Sequence, residues 1–241
     1  MDRADVVDKA FREKLVNGML PSGSKPIGPL SSVDAVAVFR AQCLSRNLDR
    51  RSRKMQAEGQ GFYTIGSSGH EGMAAVAKAL RPTDMAFLHY RDGAFQTMRS
   101  QQVPGTTPTW NMILSFATST EDPISGGRHK VLGSDALSIP PQTSTIASHL
   151  PKAVGAAYSI GLSKRHQIER QRLPHDSIVV CSFGDASSNH STAQGAINTA
   201  CWTSVQSVPL PLLLICEDNG IGISTPTPKG CIAKNFSHRP G

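Results

Sequence analysis

Long apolar runs and aromatic side chains are scarce in this sequence of 241 residues. No uninterrupted apolar stretch approaches the roughly 20 residues that a membrane-spanning helix needs. The first residues are mixed in charge and lack the apolar centre of a secretory signal, and Asp2, Asp5 and Asp8 are unusual in a mitochondrial transit peptide. The composition therefore predicts an ordinary globular protein without a membrane partner.

Cysteine motifs and several common catalytic motifs are also missing. The cysteines are Cys43, Cys181, Cys201, Cys216 and Cys231. Their number is odd and none form a Cys-x-x-Cys pair, so they suggest neither a disulfide framework nor a zinc site. A reducing cytoplasm is the expected location. No Walker motif, His-Glu-x-x-His motif or Ser-His-Asp arrangement is present.

Positive charge is in excess, at a formal +7 with an isoelectric point near 9.4. The densest basic run consists of Arg46, Arg50, Arg51, Arg53 and Lys54. Its spacing fits a helix, acidic residues border it, and no nucleic-acid-binding motif accompanies it. We interpret it as the solvated face of a helix and predict no nucleic-acid partner.

Local signals divide the chain and outline its helices. Residues 17–30 are rich in Gly, Pro and Ser, which predicts an N-terminal arm over residues 1–32 and one domain over residues 33–241. Ser31 or Ser32 is expected to cap a helix that ends near Glu58. Further helices are expected to begin near His70 and after a capping Ser148. The first helix is expected to turn Val33, Val36, Ala37 and Cys43–Leu44 toward the core.

The stretch from Ser177 to Pro228 is the most informative part of the sequence. Two apolar runs, Ile178–Phe183 and Leu210–Cys216, predict consecutive strands of a parallel sheet. Ligands bind beyond the carboxyl ends of such strands, where Asp185 and Asn219 would be neighbours. Their carboxylate and amide oxygens suit Mg²⁺. The alternatives are a helix N-cap for Asp185 and a left-handed turn residue for Asn219.

This pair of strand ends resembles the thiamine diphosphate motif, which begins Gly-Asp-Gly and ends Asn-Asn. The closest resemblance is to the alpha chain, or the alpha half of a fused chain, of the decarboxylating first component of 2-oxo acid dehydrogenases, most of all the branched-chain type. It covers roughly residues 33 to 229. It implies an α/β domain with a mainly parallel sheet and helices on both faces. The implied reaction is oxidative decarboxylation of a 2-oxo acid with acyl transfer to a lipoyl group.

The resemblance also assigns roles to single residues. It implies cofactor contacts from Tyr90, Arg91, Ile146, Gly184, Asp185, Ala186, Asn219 and Ile221. Of these, Asp185, Asn219 and the backbone of Ile221 would hold Mg²⁺, and Arg91 would bind the diphosphate, as a guanidinium fork can. Ile146 would hold thiamine in its bent shape. The plainer alternatives are a surface arginine and a core isoleucine.

Several positions depart from the family pattern. Ala186 replaces the third glycine, His190 and Ser191 replace a Glu-Gly pair, and Glu217 replaces a second phosphate-binding arginine. Thr143, Thr145 and Ser148 match a loop that holds potassium in some relatives, but His149 replaces its glutamine and no potassium is predicted. His70 and Glu71 are interpreted as structural.

The resemblance implies partners as well. The glutamate that activates the cofactor belongs to a beta chain or a second half, so no catalytic residue is assigned here. The sequence stops soon after the predicted site, which suggests a C-terminal truncation. The expected partners are that second module, a lipoyl-bearing acyltransferase and further copies of the chain. The alternatives are an inactive fragment that keeps only binding surfaces, or another thiamine enzyme of transketolase-like or acetoin-cleaving type.

Overall fold

Three parallel strands form the central sheet in the computed structural model, which describes residues 3–19, 28–62, 64–142, 145–223 and 225–227. The chain divides into a unit of residues 1–37 and a larger unit of residues 38–241. The functional division at residue 32 stays a prediction. Thr143, Cys231 and the segment 228–241 lie outside the described residues. No described helix combines the length and apolarity needed to cross a bilayer.

The helices and strands follow one another along the chain. The helices are α1 (Arg3–Val16), α2 (Ser32–Ala57), α3 (Met73–Ala79), α4 (Gly93–Ser100), α5 (Pro108–Phe116), α6 (His149–Arg165) and α7 (Ser191–Val205), with a 3₁₀ helix at Asp185–Asn189. The strands are β1 (Met85–Phe87), β2 (Val179–Gly184), β3 (Leu212–Glu217), β4 (Ile221–Gly222) and β5 (Thr225–Pro226).

The sheet has the order β1-β2-β3, with every pairing parallel. Met85 pairs with Val179, and Gly184 pairs with Glu217, so β2 and β3 end side by side. Both apolar runs of the sequence form the expected strands, shifted by one or two residues. Helices flank the sheet, so the predicted α/β class is confirmed.

Strand β2 is buried on both of its faces. Val179, Cys181 and Phe183 belong to the main core, with Leu150, Ala153, Ala157 and Ile160 of α6 and Ala193 and Ala196 of α7. Successive side chains of a strand point to opposite faces, so Ser182 points away from that core. Its hydroxyl contacts Asp92 at the start of α4. Helices therefore lie on both faces of the sheet.

The predicted helix starts are partly right. Ser31 caps α2, because its Oγ accepts a hydrogen bond from the Asp34 backbone N–H at 3.1 Å. Ser148 does precede α6, but its hydroxyl donates to the Thr145 carbonyl and makes no cap. Helix α3 begins at Met73, and His70 lies in the turn before it. The prediction of a cap at Ser148 is wrong.

The buried face of α2 also differs from the prediction. Val33, Val36 and Cys43 are exposed. The buried residues are Val38, Ala41, Ser45, Leu48, Asp49, Ser52 and Met55. They recur at spacings of three and four, as one helical face requires, but three of them are polar. An apolar pattern alone therefore pointed to the wrong face.

Candidate active site at the strand ends

Asp185 and Asn219 follow the adjacent ends of β2 and β3, as the sequence predicted. Asp185 is buried at 5% exposure, and its Oδ2 accepts a hydrogen bond from the Thr227 hydroxyl at 2.6 Å. Asn219 is exposed, and its Oδ1 accepts the Ile221 backbone N–H at 3.1 Å. The two side chains thus lie at one edge of the sheet. One oxygen of each already accepts a hydrogen bond, from Thr227 in the case of Asp185 and from Ile221 in the case of Asn219.

Neither plain alternative describes these two residues. Asp185 is the first residue of the 3₁₀ helix and makes no side-chain cap. The left-handed backbone conformation belongs to Gly220, with φ +73°, whereas Asn219 closes a turn through its side chain. Asp185 is therefore not a helix cap, and Asn219 has a local turn role that differs from the left-handed one proposed.

A short hairpin, β4–β5, packs against the 3₁₀ helix and carries Ile221. A Cβ added at Gly222 would lie 2.7 Å from the Cβ of Ala186. The methyl group of Ala186 therefore faces the hairpin, at a point where only glycine leaves room for it. Ala186 and Gly222 are complementary in size.

Tyr90 and Arg91 lie just beyond the end of β1 and are half-buried. The Arg91 guanidinium stands 4.9 Å from the Tyr90 ring centroid and donates one hydrogen bond to the Gly66 carbonyl at 2.6 Å. Arg91 is thus held in place, with several donors left over for another acceptor.

The structure also places Ile146 and His190, two residues that the family resemblance singled out. Ile146 is 48% exposed, so it is not a core isoleucine. The next residue, Ala147, is buried and has φ +64°. His190 caps α7 through its ring, which accepts the Thr192 backbone N–H at 3.2 Å. That departure from the family pattern therefore has a structural role here.

Four buried titratable side chains meet beside this edge of the sheet, and we call them the imidazole–carboxyl cluster: His70, His89, Asp92 and Glu217. Nδ1 of His70 is in direct contact with Oε2 of Glu217, and Nδ1 of His89 lies 3.7 Å from Oε1. Asp92 Oδ2 accepts the His89 backbone N–H at 3.2 Å and the Ser182 hydroxyl. The cluster joins the turn before α3 to the ends of β1 and β3.

Burial controls the protonation of this cluster. It lowers the pKa of His89 to about 3 and lowers the pKa of His70, so both imidazoles are neutral at pH 7. It raises the pKa of Glu217 to about 7 and that of Asp92 well above its usual value, the latter also because Glu217 lies near. The two carboxyl groups therefore favour sharing a proton over carrying two negative charges.

A second buried carboxylate holds the glycine-bordered loop of residues 66–69. Asp49 accepts the Ser67 backbone N–H at 2.6 Å and the hydroxyls of Ser67 and Ser68 at 3.0 and 3.3 Å. Burial raises its pKa in spite of these hydrogen bonds. Lys130 is buried nearby, and its Nζ donates to the Ile65 carbonyl at 3.1 Å.

Sequence reasoning missed both groups of buried charges. It treated His70 as structural and Glu217 as a lost arginine, and it assigned nothing to His89, Asp92 or Asp49. One signal was present, because His89 and Glu217 each adjoin the carboxyl end of a strand, where ligand-binding residues collect.

The parallel sheet defines an α/β domain, and its polar groups lie at the carboxyl edge, where domains of this class bind their ligands. Comparison with known proteins agrees: the model of the family described as "Dehydrogenase E1 component" matches residues 39–240. The chain belongs to this family, and the resemblance found in the sequence is confirmed.

Individual relatives are alpha subunits of 2-oxoisovalerate dehydrogenase. The mitochondrial mouse protein is 28% identical over 200 residues, which cover 82% of this chain and 40% of the mouse chain. The Arabidopsis thaliana alpha 2 subunit is 28% identical over 214 residues, 88% of this chain and 40% of its own. The Bacillus subtilis subunit is 29% identical over 214 residues, which cover 87% of this chain and 58% of the Bacillus subtilis chain. The chain thus spans about two fifths of the length of the first two relatives.

The residues at the strand ends fit Mg²⁺ better than they fit a diphosphate. A buried carboxylate with one hydrogen-bonded oxygen and an amide oxygen with a second lone pair are hard donors of the type that Mg²⁺ takes. Arg91 offers a suitable partner for phosphate, whereas the buried carboxyl of Glu217 would repel it when ionised. The oxygen donors Asp185 and Asn219 are therefore of a type that suits Mg²⁺, and the residues near the strand ends suit a diphosphate only in part.

Proposed function

We propose that this chain is the diphosphate-binding portion of a thiamine diphosphate-dependent 2-oxo acid dehydrogenase. The reaction of the assembled enzyme would be oxidative decarboxylation of a 2-oxo acid, with transfer of the acyl group to a lipoyl group. The observation that carries the proposal is the position of Asp185 and Asn219 at neighbouring strand ends in a chain of the E1 family. The relatives' names favour branched 2-oxo acids as substrates.

The residues that would hold the cofactor lie along this edge. Asp185, Asn219 and the Ile221 carbonyl would bind Mg²⁺, which in turn binds phosphate oxygens. Arg91, supported by Tyr90, would bind the diphosphate, and the backbone at Gly184 and Ala186 would approach it. The exposed Ile146 side chain would contact the thiamine. Bound thiamine diphosphate supplies an electron sink for the carbanion that decarboxylation leaves.

Other components would complete the enzyme. A beta chain, or a second half of a longer chain, would supply the carboxylate that activates the cofactor, and a lipoyl-bearing acyltransferase would receive the acyl group. Association with further copies of the chain and a cytoplasmic location are part of the proposal. They rest on the family resemblance and on the cysteine pattern of the sequence.

Calorimetry with Mg²⁺ and thiamine diphosphate tests the cofactor site. We expect Asp185→Ala to weaken cofactor binding at least tenfold, because it removes the only charged oxygen ligand proposed for the metal. Glu169→Ala changes an exposed carboxylate on a different surface and serves as the control. Equal cofactor affinity of wild type and Asp185→Ala would refute the metal assignment.

One observation favours a second candidate. Glu217 is buried with a carboxyl neighbour, at the position where the family resemblance implies a phosphate-binding arginine. A chain with this arrangement could keep the fold and its partner surfaces while binding diphosphate too weakly for catalysis. The second candidate is therefore an inactive member of the family, and the activity assay described in the Discussion separates the two.

A further inference from the structure

The ligand-forming atoms of His70, His89 and Glu217 converge on one point. One such atom from each residue lies within 4.8 Å of the others. The three residues come from separate parts of the chain: the turn before α3, the residue after Leu88 beyond β1, and the last residue of β3. The parallel sheet and the packing of α3 therefore bring the three residues together. Their meeting depends on the fold and is not a grouping of neighbouring surface residues.

Two atoms of this group are buried without a hydrogen-bond partner in the described part of the chain. They are Nδ1 of His89 and Oε1 of Glu217, which lie 3.7 Å apart, and both side chains are more than nine-tenths buried. Oδ1 of Asp92 is a third such atom. Buried polar atoms without partners are costly, so an unfilled cluster of this kind calls for an additional proton or cation.

Two imidazoles and one carboxylate are a characteristic ligand set. Imidazole favours zinc, iron, copper and nickel over Mg²⁺, and two histidines with one glutamate are a known zinc set that leaves a coordination position open. A tetrahedral site with ligand bonds of about 2.0–2.2 Å places its ligand atoms roughly 3.4 Å apart. The 3.7 Å separation between His89 Nδ1 and Glu217 Oε1 is near this value. Glu217 lies closer than this to His70, so a bound ion would need these two side chains to move apart by roughly one ångström.

We infer that His70, His89 and Glu217 form a binding site for a divalent transition-metal ion such as Zn²⁺, separate from the Mg²⁺ donors Asp185 and Asn219. Asp92 acts as a positioning residue, because it fixes the backbone of His89 through Oδ2 and lies beside Glu217. The ion would bind the buried Nδ1 of His89 and Oε1 of Glu217, which the described residues leave without a hydrogen-bond partner. Its fourth position is open to water or to an oxygen of a bound ligand.

Competitive titration with a chromophoric chelator measures the site directly. Protein stripped of metal is titrated with Zn²⁺, and then with Co²⁺, whose visible absorption reports imidazole coordination and a four-coordinate geometry. We expect one equivalent of Zn²⁺ to bind, with an affinity at least tenfold lower in His70→Gln, His89→Gln and Glu217→Gln. Glu217→Gln keeps the shape of the side chain, and thermal unfolding of each variant checks its folding.

Matched controls separate this site from others. His166→Gln removes an exposed histidine, and Asp185→Asn alters the proposed Mg²⁺ site; both should keep full Zn²⁺ affinity. Wild-type affinity in Glu217→Gln, loss of binding only in His166→Gln, or loss only in Asp185→Asn would each overturn the inference. If the buried variants do not fold, the Co²⁺ spectrum of the wild type decides, since the absence of imidazole-type bands overturns it. No thiamine diphosphate is used, so the outcome is independent of the proposed function.

Discussion

Asp49 holds the loop at residues 66–69 through three hydrogen bonds to its carboxylate. Its carboxylate accepts hydrogen bonds from one backbone N–H and two hydroxyls, which water would otherwise satisfy. Removal of such a partner leaves a buried donor unsatisfied, which typically costs about 1–3 kcal/mol. The loop is also where Arg91 is held through the Gly66 carbonyl, so Asp49 connects stability to the proposed cofactor site.

We expect Asp49→Ala to lower the free energy of unfolding by roughly 2–3 kcal/mol, and Asp49→Asn by about half as much, because an amide oxygen can still accept the Ser67 N–H. Urea unfolding followed by circular dichroism measures both. Asp8→Ala, in α1, is the control. A loss smaller in Asp49→Ala than in Asp49→Asn would contradict the expected role of the hydrogen bonds.

Because of Lys130, the free energy of unfolding should change with pH in the alkaline range. Burial lowers its pKa from 10.5 to about 8, so the unfolded chain binds more protons between these values. The free energy of unfolding contributed by Lys130 therefore rises as the pH increases from about 8 to 10.5, by at most on the order of 3 kcal/mol.

The comparison with Lys130→Met isolates this effect. The free energy of unfolding is measured at pH 7, 8, 9 and 10 for both proteins. The value for the wild type should increase relative to that for Lys130→Met as the pH rises. Lys164→Met, which changes an exposed lysine, should show a constant difference from the wild type. A constant difference for Lys130→Met as well would mean that Lys130 is charged in the folded protein.

Single residues differ in how well the sequence predicted them. Asp185 and Asn219 were found because strand ends follow directly from apolar runs and turn residues. The imidazole–carboxyl cluster was not found, because it depends on which residues separate strands and turns bring together. His70 and Glu217 are far apart in sequence and meet because α3 packs on α4, which follows β1, and because β1 and β3 belong to one sheet.

At the scale of the elements, the hairpin β4–β5 depends on a fit between two small residues. We expect Gly222→Ala to lower the free energy of unfolding by about 1–3 kcal/mol, since its new methyl would overlap with that of Ala186. Ala186→Gly in the same chain should restore most of the loss by removing the opposing methyl.

A double-mutant cycle measured by thermal unfolding tests this coupling. Gly195→Ala in α7 is the control, because a Cβ there meets nothing within 4 Å and alanine favours the helix. Equal losses for Gly222→Ala with and without Ala186→Gly would show that the two positions are independent.

Strands were easier to predict than the buried face of a helix. β2 and β3 are short, apolar and followed by turn residues, so their existence and approximate bounds follow from the pattern. Helix α2 buries Ser45, Asp49 and Ser52, whose burial depends on partners elsewhere in the chain. Hydrophobic periodicity carries no information about such partners, and so it indicated residues near Val33 instead.

At the scale of the whole molecule, activity should depend on a second component. We expect this chain alone to release no carbon dioxide from labelled 2-oxo acids, even with Mg²⁺ and thiamine diphosphate. The reason is that the proposed proton-transfer carboxylate belongs to a partner, and such groups contribute typically 10²–10⁴-fold.

The assay is run with the chain alone and with the beta subunit of a related enzyme. Turnover only with the partner would support the proposed dehydrogenase, whereas no turnover in either case, with cofactor bound weakly, would favour the inactive family member. Substantial turnover by the chain alone would contradict the prediction.

The pairing of β1 with β2 has a consequence for how the chain folds. Met85 pairs with Val179, and α4, α5 and α6 lie between them along the chain, whereas Val179 pairs with Leu212 with α7 as the single α-helix between them. Closing the longer loop costs roughly 1 kcal/mol more entropy than closing the shorter one. During synthesis, β1 leaves the ribosome long before its neighbour and must wait without a partner strand. The first pairing of the sheet therefore waits until Val179 has been made, and the interval in which β1 is exposed grows with every residue between Phe87 and Val179.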